Sequence, residues 1–170
     1  MKTVLIVDGY NVIGAWKQLA AEKLTIAESR EKLRHALEDY AGYTGENVIL
    51  VFDGYQSERL QRSEEQNGNL TLVYTKHGET ADSYIERLSA QMPKYVVMRV
   101  VTSDLLEQSQ VFSSGAMRMS SAELIRELNA TRNQGISKHV SSIKEKYMLS
   151  EHLSDDMLNA LEKIRRDSDC

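Results

Sequence analysis

Four aspartates in this chain sit where chemistry is usually placed. Asp8 closes the apolar run "VLIVD", Asp53 closes "VILVFD", Asp104 follows "VVTSD", and Asp82 lies in "GETAD", just after Glu79. Carboxylates that converge on one place repel each other unless a cation intervenes. Oxygen-only ligands select hard ions, Mg²⁺ or Mn²⁺. Such ions generate a hydroxide nucleophile and stabilise the leaving oxygen of a phosphodiester. Each acid also has a plainer use. Asp8-Gly9 and Asp53-Gly54 are turn dipeptides. Asp82 suits the first turn of a helix, and Asp104 with Glu107 could cap one. Asn11, three residues past Asp8, could orient a carboxylate, a water or a phosphate, or make only a local Asx turn.

What favours the chemical reading is the layout of the elements that carry these residues. The runs "TVLIV" (3–7), "NVILVF" (47–52), "LTLVYT" (70–75) and "YVVMRVV" (95–101) are rich in Val, Ile and Leu and mostly do not alternate. Strands covered on both faces read this way. Between them lie helical segments. Thr25 and Glu28 form a capping box ahead of a helix whose Ile26, Leu33, Leu37 and Tyr40 share a face, with Gly42 or Gly45 at its end. Thr80 caps "ADSYIERLSAQM", which Pro93 terminates. Ser120 and Glu123 form a second capping box before "SAELIRELNA". Strands alternating with helices predict an α/β sandwich with a mainly parallel sheet. On that layout all four aspartates fall at or just beyond the carboxyl end of a strand, where open α/β sheets build their sites. Residues 55–69 are polar and read as an exposed excursion or loop.

The bulk properties narrow the classes. The chain has 170 residues, 41% of them hydrophobic, a net charge of −4 and one cysteine, Cys170. A disulfide framework is excluded and a cytoplasmic setting is expected. No apolar stretch reaches the length of a membrane span and no signal-peptide pattern opens the chain. A general nucleic-acid coat protein would be basic. The charge is uneven: residues 1–90 carry 10 Lys/Arg against 14 Asp/Glu, whereas residues 91–170 carry 11 of each. An acidic half beside a locally basic segment suits an acidic site working on a polyanion that docks elsewhere. Candidates for that docking are Arg118, Lys138, Lys144 and Lys146, although a charge run is equally a solvated face.

With "DGYN", "VFDG", "GETAD" and "TSD" in that order, the chain resembles the NYN-domain proteins, a branch of the PIN-like metal-dependent ribonucleases. The resemblance is closest to the bacterial ribosome-associated YacP-type endoribonucleases. It rests on Val7 to Trp16 with Gly14 in place, on "YAGYTGENVILVFD" (40–53), "TKHGETAD" (75–82) and "SSGAMRMSSAELIREL" (113–128). It covers residues 3–130 best. Met119 stands where a basic residue would be expected in that subgroup. The resemblance implies a PIN-like three-layer sandwich, with a nuclease domain at 1–130 and a helical extension at 131–170. It implies hydrolysis of single-stranded RNA, specifically messenger RNA at the decoding site of a translating ribosome. Asp8 and Asp82 become the leading catalytic, metal-binding acids, Asp53 and Asp104 the supporting acids and Asn11 the supporting amide, with Mg²⁺ or Mn²⁺ as cofactor and no organic one.

Other acid-bearing α/β enzymes fit less well. A receiver domain wants paired acids after its first strand and a lysine after its last. A dehalogenase-type phosphatase wants Asp-x-Asp, and Tyr10 holds the second place. No Gly-Lys-Ser/Thr phosphate loop exists. The remaining rival is a non-catalytic RNA- or ribosome-binding module on the same fold.

Overall fold

The structure, a computed structural model, describes residues 2–54, 61–102 and 115–135. It divides into two units, Met1–Arg132 and Asn133–Cys170, and nearly all described residues belong to the first. The chain opens with β1 (Lys2–Asp8), α1 (Gly9–Ala15), α2 (Lys17–Ala21), α3 (Ile26–Thr44) and β2 (Asn47–Phe52). It continues through β3 (Ser63–Asn67), β4 (Leu70–Tyr74), α4 (Ala81–Gln91), β5 (Val96–Val101) and β6 (Met117–Met119). The last helix among the described residues, α5, spans 121–135. No helix among the described residues is long and apolar enough to cross a membrane.

The six strands form one sheet in the order β3-β4-β2-β1-β5-β6, parallel throughout except where β3 runs antiparallel to β4. β1 is central. The chain moves outward from it through β2 and β4, then returns to its other side with β5. In open α/β sheets such a reversal marks the place, at the carboxyl ends of β1 and β5, where sites form.

Both faces of the sheet are covered, so the strands are apolar on both sides. Leu5, Val7, Leu50 and Phe52 point to one face, where they pack with Val12, Leu33, Leu37, Leu124 and Leu128 from the helices. Val4, Ile6, Val51, Val73 and Val100 point to the other and pack with Ala81, Tyr84 and Ile85 of α4. The result is the α/β sandwich with a mainly parallel sheet expected from the strand and helix pattern, in the three layers that the family resemblance implies. Local signals set the helix ends. Thr25 and Glu28 make the reciprocal capping box of α3, and Gly45 closes it in the left-handed conformation at φ 72°. Thr80 accepts from the Ser83 amide at the start of α4.

Three elements depart from the sequence reading. Residues 63–67 form an edge strand, not a loop. "SEEQN" has no apolar alternation, because both its faces are largely exposed and pairing with β4 alone defines it. Its charges also discourage edge-to-edge association. Residues 9–15 are a helix that begins directly on Asp8. β6 is a three-residue edge strand whose register pairs Arg99 with Met117 and Val101 with Met119. A strand that short leaves almost no periodic signal.

Candidate active site at the carboxyl edge

Asp8 is the last residue of β1 and the N-cap of α1. Its carboxylate is nearly buried, at 6% exposure. The Asn11 amide N–H approaches Oδ1 at 3.4 Å, and the Asn11 side-chain Nδ2 donates to Oδ2 at 3.0 Å. The strand therefore ends on a carboxylate that both starts the helix and is held by the amide three residues on. The Asx-type contact and the orienting role anticipated for Asn11 are one arrangement.

Asp82 lies in the first turn of α4. It is near enough to share a hydrogen bond with Asp8, while Asp53, just past β2, acts on Asp8 through its charge. Burial, followed by these two neighbours, pushes the Asp8 carboxyl up to about 6 against the pull of the Asn11 amide. Asp82 and Asp53 thus both lie within electrostatic reach of Asp8 although they are far from it in sequence. Asp104 lies outside the described residues, as do Lys138, Lys144 and Lys146. Arg118 sits exposed in β6, and its charge acts on Glu123.

A hydroxyl holds two of these acid-bearing segments together. Thr75, fully buried after β4, accepts from the Gly54 amide at 2.7 Å and donates to the Glu79 carbonyl at 2.7 Å. Its own amide donates to the Phe52 carbonyl at 3.1 Å. The turn carrying Asp53 and the loop leading to Asp82 are joined through one oxygen. Nothing in the sequence marks Thr75 for this, since its partners lie 21 residues before it and four after. Aromatic rings back the same edge. Phe52 packs against Tyr10 at 5.1 Å and Tyr74 at 5.6 Å between centroids.

Carboxylate oxygens are the donor type that hard divalent cations take. The donors are carboxylate oxygens, and the most buried of them carries a raised proton affinity that a cation would reverse. Among the described residues no three His, Cys, Asp or Glu side chains stand close enough to form a ready-made ligand set. The described core of the site is the Asp8–Asp82 pair, with Asp53 within electrostatic reach.

Comparison with known proteins gives the family. The family model for the YacP-like NYN domain matches residues 5–166. The chain belongs to the YacP-like NYN family. Its similarity runs past residue 130, into the segment where sequence motifs alone are weakest. An uncharacterized protein YacP from Bacillus subtilis (strain 168) is 39% identical over 166 residues, which cover 96% of each chain. A crystal structure of Rae1 (YacP) from Bacillus subtilis matches at a TM-score of 0.69 with 38% identity, covering 96% of this chain and 94% of that one. A point mutant of the same protein matches at 0.71 with 37% identity, covering 89% of both chains. The fold is the PIN-like fold of these proteins, and the family implies a nuclease-like, RNA-related function.

Proposed function

We propose that this YacP-like NYN protein is a metal-dependent endoribonuclease that hydrolyses single-stranded RNA, with messenger RNA on the translating ribosome as its natural substrate. The observation that carries the reading is the placement of Asp8 at the carboxyl end of the central strand β1, with Asp53 just past the adjacent β2 and Asp82 in the first turn of α4, both within electrostatic reach of it. Structural acids have no reason to gather at one edge, where they repel each other.

Asp8, Asp82 and Asp53 would hold Mg²⁺ or Mn²⁺, with Asp104 as a further donor. A divalent cation there supplies an activated water and neutralises charge on the scissile phosphate. The protein's own part is positional. Asn11 fixes the Asp8 carboxylate through Oδ2. Thr75 holds the Asp53 turn and the Asp82 helix in register. The N-terminus of α4 directs backbone dipole toward Asp82. Arg118, Lys138, Lys144 and Lys146 are the proposed RNA contacts from the sequence. A cytoplasmic location suits such a substrate.

The absence of a ready-made set of three ligands among the described residues favours one rival, a module that binds RNA or the ribosome without cutting. Mn²⁺ titration separates the two. Calorimetric binding that disappears in Asp8→Asn supports the enzyme, and absence of binding supports the module.

The functional test uses a bacterial translation system supplied with wild type or the Asp8→Asn/Asp82→Asn double variant, with mapping of messenger 5′ ends. Cuts that need both the carboxylates and active translation establish the ribosomal reading. Carboxylate-dependent cuts on naked RNA make the protein a free ribonuclease. Ribosome co-sedimentation without any cut would favour the binding module.

A further inference from the structure

Beside the acidic edge stands a charged cluster that this chemistry does not use. Glu79, three residues before Asp82, is 6% exposed. A single oxygen of its carboxylate, Oε1, accepts from Arg62 Nη2 at 2.7 Å and from Arg87 Nη2 at 2.5 Å. Both guanidinium groups also lie against the ring of Tyr84, at 4.6 Å for Arg62 and 5.6 Å for Arg87 from its centroid. Burial would push the Glu79 carboxyl up, but the two arginines outweigh it and hold the group below its ordinary range. The carboxylate is therefore ionised at neutral pH.

Two cations converge on the Glu79 carboxylate, and the charge of Glu64 in β3 also reaches Tyr84. One arginine is enough to neutralise Glu79, and the second adds repulsion from the first. The ring and the carboxylate fix both guanidinium planes, so little side-chain entropy remains to be lost when a further anion docks. The Arg62 and Arg87 side chains are 31% and 46% exposed, so part of each donor fork faces solvent. The position matters as much as the charge. Arg62 directly precedes β3, whose first residue pairs with Tyr74 at the carboxyl end of β4. Arg87 reaches back along α4 toward its N-terminal end, where Asp82 lies. The positive pair thus flanks the same edge that carries Asp8, Asp53 and Asp82.

We infer that Arg62 and Arg87 form a phosphate subsite for single-stranded RNA, gripping a backbone phosphate next to the one that is cut. The inference rests on the nuclease reading of the acidic edge. A chain of regularly spaced phosphates is the polyanion that reaches both places at once: one phosphate at the acids and a neighbour at the arginines. Glu79 and Tyr84 are positioning residues that hold the two forks ready.

The test uses the full chain carrying Asp8→Asn, so that RNA is not consumed, and a fluorescein-labelled single-stranded oligoribonucleotide followed by anisotropy over a KCl series. Each phosphate contact on a single strand contributes about 0.7 to the salt slope. Arg87→Gln is expected to reduce the slope by about 0.7 and to weaken binding about tenfold at ~0.1 M salt. A folded Arg87→Gln protein with unchanged slope and affinity overturns the subsite. Should that variant fail to fold, Arg87→Lys takes its place, since it keeps a counter-charge for Glu79 but cannot bond Glu79 and a phosphate as a fork. Its binding is expected to weaken several-fold, and unchanged binding overturns the proposal. Polyglutamate that displaces the RNA at equal charge concentration also overturns it. The two readings fail separately. RNA binding that depends on Arg87, in a wild-type protein that cuts nothing with Mn²⁺, sinks the nuclease and keeps the subsite. Cleavage whose KM and salt slope ignore Arg87 does the reverse.

Discussion

The ring of Phe52 occupies the space that a side chain on Gly9 would need. A Cβ at Gly9 would lie 2.7 Å from Phe52 Cδ1 and 2.9 Å from Cζ, and closer still to Cε1. Gly9 follows Asp8, and Phe52 precedes Asp53, so this contact sets how closely the first two acid-bearing strand ends approach. The glycine of "DGYN" is demanded by a neighbouring strand rather than by a turn. Phe52 is 1% exposed and packed between Tyr10 and Tyr74, so its ring cannot swing aside. Gly9→Ala is therefore expected to destabilise the protein by about 1–3 kcal/mol through overpacking. Chemical denaturation checks this, and Gly9→Ala with Phe52→Leu should recover part of the loss.

Asp8 carries a penalty that its replacement should relieve. Its carboxyl is pushed up to about 6 in the folded protein from an ordinary value of 3.8. Between those values the folded state binds more protons than the unfolded one, so stability falls as pH rises through that window. Above it the penalty is complete, at about 1–3 kcal/mol. Asp8→Asn keeps a good N-cap and removes the charge. It should raise the melting temperature at pH 8, flatten the pH dependence of stability between pH 4 and 6, and abolish RNA cleavage. A variant that melts lower than wild type at pH 8 would count against the repulsion account.

Metal should act on the same balance in the opposite direction. A cation that Asp8, Asp53 and Asp82 held would bind the folded state alone and would stabilise it by mass action. Millimolar Mn²⁺ is expected to raise the wild-type melting temperature at pH 8, with little effect on Asp8→Asn. Equal shifts in both proteins would move the cation to another place.

Thr75 offers a test of positioning separate from charge. Thr75→Val matches the shape but leaves the Gly54 amide and the Glu79 carbonyl without the hydroxyl that now serves both. The expected cost is about 2–4 kcal/mol, with weaker Mn²⁺ binding as the two segments lose register. Thr75→Ser should restore both properties. Calorimetry on the two variants separates a loss of stability from a loss of metal affinity.

The sequence by itself determined the alternation of strands and helices and placed Asp8 and Asp53 at strand ends. Continuous Val/Ile/Leu runs read as doubly covered strands because burial on both faces removes alternation, and capping boxes read as helix starts because they act within three residues. Both signals are local. With the strand ends located, the carboxyl edge followed, and with it Asp8, Asp53 and Asp82. The tertiary structure decided what depends on partners distant in the chain. β3 exists because β4 pairs with it, although its own residues have no strand pattern. Gly9 is small because of Phe52. Thr75 joins Gly54 to Glu79, and Glu79 draws Arg62 and Arg87 onto one oxygen. No spacing rule encodes these contacts, because hydrogen bonds and steric limits act over a few ångströms of space however many residues separate the groups.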